Sequence, residues 1–385
     1  MRTATPTCGN IMESNMLDFV SGNEVFTHPG QDQMQVEVIL ASKPAQDTGA
    51  KPIYTIRMRY PRIIHAEAET HRVFSLNGRV VEEIDPGYGI MSDNDLSRNA
   101  RSSRAVPVKT MLMECTSIPF IPWHWGKNQK GMQAGESCNE PVILDEYPNY
   151  FDFDTPVGRE TAWLYARDRA VEVAEAMMTA GYHKQIPNRL LEPFSWIDVL
   201  ITSCDWDNFL WLRDHKDAEP HLQDLARLVK QAIDAAEVQE LEPGEWHSPY
   251  VSKEETNGIY QHLKKNRITR DLPSGAEVQA TINKISAARC ARISYKPFNG
   301  DGSYEAELDR YDSLVTADRV HASPLEHQAT PDTQMYVFKE FYNNDSEPNP
   351  FEDYGEHDWR NPEQHGNLTG YIQARKLVPN ERYEG

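Results

Sequence analysis

The sequence predicts an α+β fold, and three observations carry that reading. Strand-like alternation is concentrated early, in "QVEVIL" (35–40) and "YTIRMRYP" (54–61). Helical periodicity dominates afterwards, at 156–180, 217–236 and 277–291. The strands and helices do not alternate as in a doubly wound sheet. Neither G-x-G-x-x-G nor G-x-x-x-x-G-K-[ST] occurs, so any nucleotide is bound without those glycine loops.

Taken in order, residues 1–35 are polar and read as an irregular N-terminal arm. In 54–61, Ile56, Met58 and Tyr60 alternate with Thr55, Arg57 and Arg59, giving one apolar and one cationic face. "PRIIHAEAETHR" (61–72) suits a helix with Ile64, Ala68 and His71 on one side. The helix over 156–180 opens with Thr155-Pro156, a side-chain cap and a first-turn proline, and stops at Gly181. "NRLLEPFSWIDVLITSCDWDNFLWLR" (188–213) is largely apolar and belongs in the core. The helix over 217–236 buries Leu222, Leu225, Ala226, Val229 and Ile233. Residues 237–275 are charged and broken by Pro and Gly, as in a long connection. The helix over 277–291 carries Val278, Ile282, Ile285 and Ala288, and 343–363, acidic and rich in Asn and Pro, reads as a surface loop. The organisation is an arm (1–35), one domain (36–335) and a C-terminal extension (336–385).

With 385 residues, 39% of them hydrophobic, the chain is long enough for a substantial core. Its 39 basic and 59 acidic residues give a net charge of −20, which argues against nucleic acid as a partner. A local basic cluster in such a chain points to a small anion. The five cysteines form no C-x-x-C pair, and their odd number suits a reducing cytoplasm. No basic-then-apolar leader and no apolar run of membrane length is present, so the expectation is a soluble cytoplasmic protein without a membrane partner.

Three clusters carry chemistry. Between 70 and 105 the chain gathers His71, Arg72, Arg98, Arg101 and Arg104, with Ser97, Asn99, Ser102 and Ser103 among them. Hydroxyls, an amide and guanidinium forks in "SRNARSSR" (97–104) suit a phosphate; the alternative is a solvated loop whose arginines pair with surface carboxylates. Arg189 and Arg213, the latter near Asn208, sit in apolar runs, where a buried guanidinium needs an anionic partner. "HASPLEHQATP" (321–331) brings together His321, Ser323, Glu326 and His327, yet no matching ligand motif accompanies it and no metal is expected.

Together these blocks resemble the flavin-dependent thymidylate synthases, whose signature runs R-H-R-x-x-S-x-N-E-x-S-x-R-Y. "THRVFS" (70–75) matches its first half, with Thr70 for the leading Arg. "SRNARSSRA" (97–105) matches the second half through Ser97, Asn99, Ser102 and Arg104, after an insertion (76–97). Two further family blocks, A-A-R-V-S-Y and H-x-[ST]-P-F-E-H, usually precede the signature. Here their counterparts "CARISY" (290–295) and "HASPLEH" (321–327) follow it, so the chain resembles a circularly permuted member. Ala100 and Ala105 replace the signature's Glu and Tyr, Glu67 stands where many members have Gln, and "TSCDWDN" lacks the family's Asn-x-Arg pair.

The resemblance implies an antiparallel sheet flanked by helices, and sites at the subunit interfaces of a homotetramer. It implies FAD, NADPH and methylene-tetrahydrofolate, with transfer of a one-carbon unit to C5 of dUMP to give thymidylate. No cysteine nucleophile is used. Carried over by position, Ser102, Arg104 and Arg189 hold the nucleotide phosphate, Asn99 and Glu67 lie on the substrate side, and catalytic Arg213 lies against the pyrimidine. His71 (also catalytic), Arg72, Asn208, Ser294, His321, Ser323 and Glu326 contact the flavin. Two alternatives stay open: the same scaffold making hydroxymethyl-dUMP or a dCMP product, and a non-catalytic flavin- or nucleotide-binding relative.

Overall fold

The two alternating segments become neighbouring strands in the computed structural model, which describes residues 23–69, 98–131, 134–144, 156–268, 271–293, 301–316, 320–339, 354–379 and 381. β1 (Val25–His28) and β2 (Gln31–Pro44) form a hairpin, and β2 continues antiparallel to β3 (Ile53–Pro61). The expected irregular arm is therefore corrected from Val25 onward: its polar residues still pair their backbone along the edge of a 14-residue strand. A 3₁₀ turn (Arg62–Ile64) leads into α1 (His65–Glu69), with Ile64 buried and Ala68 packed on the core.

β4 (Arg98–Ala100), α2 (Val108–Ser117) and a two-residue pairing of β5 (Val142–Ile143) with β6 (Pro156–Val157) follow. α3 (Arg159–Thr179) starts later than expected because Pro156 belongs to β6 and Gly158 is the N-cap. Its stop is as expected, with Gly181 in the left-handed region at φ 87°. Next come α4 (Pro187–Leu191), β7 (Trp196–Ser203), α5 (Trp206–Arg213) and α6 (Pro220–Ala235). α6 begins where the Glu219 carboxylate accepts from Leu222 N and Pro220 takes the first turn.

The expected connection 237–275 is corrected twice. It holds β8 (Gln239–Leu241), parallel to the end of β2, and α7 (Glu255–Asn266). Gly258 within α7 reads as a breaker in sequence, but a Cβ there would meet the Tyr304 hydroxyl at 2.7 Å, so glycine permits a close approach of helices. α8 (Gly275–Ala291), α9 (Tyr304–Val315), β9 (Ala329–Pro331), β10 (Gln334–Lys339), β11 (Tyr354–Trp359) and β12 (Tyr371–Gln373) complete the described elements. β11 corrects the expected loop at 343–363 over its own span, since it pairs antiparallel with β10.

The main sheet runs β1-β2-β3-β7-β4, antiparallel throughout, with parallel β8 added on β2. One face buries Ile56, Met58, Tyr60, Ile197, Val199 and Ile201 against Leu222, Leu225, Ala226 and Val229 of α6. The other packs Ile39 and Leu200 against Cys290 of α8. The cationic side of β3 is neutralised by its neighbours. Arg57 faces Glu37 across β2 at 2.9 Å, and Arg59 faces Asp198 across β7 at 3.0 Å. The fold is thus mixed α and β, with helices on both faces of an antiparallel sheet. Among the described residues no helix is long and apolar enough to cross a membrane.

Candidate functional site

β4 forms the edge beside β7, and the chain leaving it makes the turn that carries the serine and arginine cluster. Arg101 N extends the ladder to Asp198 O (2.9 Å), Ala105 N then closes on Ser102 O (3.0 Å), and Ser102 Oγ accepts from Arg104 N (3.3 Å). Arg101 is buried and forks onto Glu114 of α2 at 2.9 and 2.6 Å. Burial opposes its charge, but Glu114 and then Asp198 raise its pKa above the ordinary value. That arginine is structural. Ser102 and Arg104 are exposed.

α4 closes the turn from the other side. Fully buried Asn188 donates from Nδ2 to Ser103 O (2.7 Å) and Val106 O (2.9 Å), and Lys184 Nζ reaches Ala105 O (3.0 Å). Arg189 follows Asn188 and is exposed, which corrects its expected burial: Pro187, Asn188 and Leu191 take the inward positions of this short helix. No ion pair joins Arg104 or Arg189 to a described carboxylate. Arg62, nearby and paired with Glu192 at 3.4 Å, has its pKa lowered by burial and by the charges of Arg101 and Arg189. Cations therefore crowd this corner.

Arg213 ends α5. Its Nη2 lies 3.5 Å from Glu67 O of α1, and its Nε is buried with no partner among the described residues. Asn208, earlier on the same helix, is half-buried, and Glu67 is exposed.

In the 321–327 block, His321 and Ser323 are exposed, whereas Leu325, Glu326 and His327 are buried. The Glu326 carboxyl is committed to Arg375; burial pushes its pKa up to about 8 although Arg375 opposes. His327 Nδ1 meets Thr202 Oγ1 at 2.8 Å, and its Nε2 meets Asn99 Nδ2 at 3.2 Å. Asn99 also reaches Cys290 O at 3.4 Å. "SRNARSSR", "CARISY" and "HASPLEH", far apart in sequence, thus meet at Asn99. Glu326 and His327 turn to different partners, and among the described residues no group of three His, Cys, Asp or Glu side chains could hold a metal. Cys115, Cys204 and Cys290 are buried, and burial pushes each thiol pKa up, to about 12 for Cys115 and about 11 for Cys204.

His71, Arg72 and Ser294 lie outside the described residues, as do Thr70 and the inserted stretch up to Ser97. The structure adds residues that sequence reasoning missed: Asn188, Lys184, Glu114, Thr55, Thr202 and His247. Asn188 carried one signal, its place between Pro187 and Arg189. The others make contacts between distant segments and carried none. No protein-family model matches the chain, and no curated protein is significantly similar to it.

Proposed function

We propose that this chain transfers a one-carbon unit from methylene-tetrahydrofolate to C5 of dUMP with the help of FAD and NADPH, on a circularly permuted relative of the flavin-dependent thymidylate synthase fold. The carrying observation is the pair of bonds from Asn188 to Ser103 O and Val106 O. They lock the turn bearing Ser102 and Arg104 to the helix bearing Arg189, leaving hydroxyl and guanidinium donors exposed where a phosphate would neutralise them.

The buried Nε of Arg213, which has no partner among the described residues, suits a ligand carbonyl, whose growing negative charge a guanidinium would stabilise. For the flavin, exposed His321 and Ser323 and half-buried Asn208 are available, with His71, Arg72 and Ser294 assigned by the resemblance alone. Glu326 enters as a support of its turn, because Arg375 occupies its carboxyl. When bound, the flavin supplies hydride chemistry that side chains lack. A homotetramer with shared sites belongs to the same proposal.

The test is the visible spectrum of the purified protein with added FAD, followed by the mass of the nucleotide formed from dUMP, methylene-tetrahydrofolate and NADPH. A flavin spectrum and a methylated product are expected. A hydroxymethyl product, or turnover of dCMP in place of dUMP, would replace the reaction named here. No affinity for FAD would remove it.

A further inference from the structure

A buried chain of hydrogen bonds crosses the sheet behind Asn99. Asn99 Nδ2 meets His327 Nε2 (3.2 Å), His327 Nδ1 meets Thr202 Oγ1 (2.8 Å), and Thr202 meets Thr55 Oγ1 (2.6 Å). Thr55 then meets His247 Nε2 (2.8 Å), and His247 Nδ1 meets Ser42 Oγ (2.7 Å). The chain links β4, β7, β3 and β2 through two imidazoles, each fully buried. Burial lowers both histidine pKa values to about 3, so each ring is neutral, with one donor and one acceptor nitrogen.

Protons along such a chain cannot be placed independently: fixing one end fixes the rest. The Asn99 end supplies the fixed point, because Nδ2 also faces the Cys290 carbonyl oxygen, which only accepts. Asn99 therefore donates to His327 Nε2, and His327 donates from Nδ1 to Thr202. Thr202 donates to Thr55, Thr55 to His247 Nε2, and His247 from Nδ1 to Ser42. Asn99 Oδ1 takes no bond from a described residue.

We infer that Thr202 and His327 are positioning residues that hold the Asn99 amide with its oxygen outward, so that a ligand meets only an acceptor there. The inference rests on the nucleotide and flavin reading above. An acceptor recognises an N–H between two carbonyls, the imide shared by uracil and the oxidised flavin ring. Cytosine presents a lone pair at the same ring position and loses the contact. A free amide could rotate to serve either; this one is held.

The experiment measures dUMP, dCMP and FAD binding by calorimetry with the full chain, Thr202→Val, Thr202→Ser and Asn99→Leu. The wild type is expected to favour dUMP over dCMP by at least about tenfold, the scale of a lost hydrogen bond to a fixed partner. Thr202→Val should remove most of that preference, Thr202→Ser should keep it, and Asn99→Leu should abolish it with no further loss on adding Thr202→Val. If the imide is the flavin's, the same pattern appears in FAD affinity while the dUMP-to-dCMP ratio stays fixed. Nitrogen-15 NMR of the wild type should show His327 and His247 as neutral Nδ1–H tautomers, a readout that needs no variant to fold. An Nε2–H tautomer at His327 overturns the positioning role. So does a folded Thr202→Val chain with unchanged dUMP-to-dCMP ratio and FAD affinity. A wild type that binds none of the three overturns the nucleotide and flavin reading, and the positioning role with it.

Discussion

Arg101 and Arg104 stand three residues apart in one turn, and burial gives them opposite duties. Arg101 is buried on Glu114, so Arg101→Ala strands a carboxylate and should cost about 3 kcal/mol in stability, read by urea denaturation. Arg104 is exposed, so Arg104→Ala should leave stability nearly unchanged. It should instead weaken dUMP by about 2 kcal/mol while deoxyuridine binding hardly moves. Equal weakening of both would make Arg104 a support of the turn. Glu326 sets a pH dependence of definite sign, since burial raises its folded-state pKa from 4.5 to about 8. The folded chain keeps a proton that the unfolded chain releases. That contribution is complete below about pH 4.5 and is lost as pH rises through about 8. The melting temperature should therefore fall over this window, and Glu326→Gln should flatten the slope. An unchanged slope in the variant would assign the dependence to other groups.

At the scale of elements, short segments act through their ends. Asn188→Ala removes two bonds to the carbonyls of the 103–106 turn and should cost about 2 kcal/mol. It should also weaken dUMP, although Asn188 itself is fully buried beneath the turn. The contrasting case is the capping box of α8, where Ser274 and Glu277 satisfy each other's backbone N–H groups. Ser274→Ala should cost about 1 kcal/mol and leave dUMP affinity unchanged. If both variants lose affinity in proportion to stability, Asn188 has no special link to the proposed anion site. The helix over 217–236 was legible because a period of 3.6 puts its apolar residues on one buried stripe. The helix over 277–291 was legible because Val278, Ile282 and Ile285 keep that spacing, although residues 285–290 are buried on every side. α7 and β11 were not. Gly258 is chosen for its contact with Tyr304, and β11 depends on a partner strand rather than on its own pattern.

For the whole molecule, the last described segment belongs to the body of the fold. Tyr371 is fully buried with Ile53, Ala329 and Leu368, β12 pairs with β9, and Arg375 reaches Glu326. A chain ending at Gly370 should therefore lose cooperative melting. Melting within a few degrees of the full chain would show that residues beyond 370 add little to the stability of the fold.

The sequence by itself determined the α+β class, the strands β2 and β3, the helices over 156–180, 217–236 and 277–291, and the residue types available to bind an anion. These follow from local rules: alternation, helical period, caps and side-chain chemistry. Only the tertiary structure decided which arginine is buried in an ion pair and which is exposed, that Asn188 joins two distant blocks, and that Asn99 ends a chain of five hydrogen bonds. The Asn188 and Asn99 contacts depend on partners brought together from far along the chain, and the Arg101 ion pair on the way α2 folds back against the turn before it. Such pairings leave no periodic trace in sequence, because a buried polar group is satisfied by whichever segment the fold places beside it.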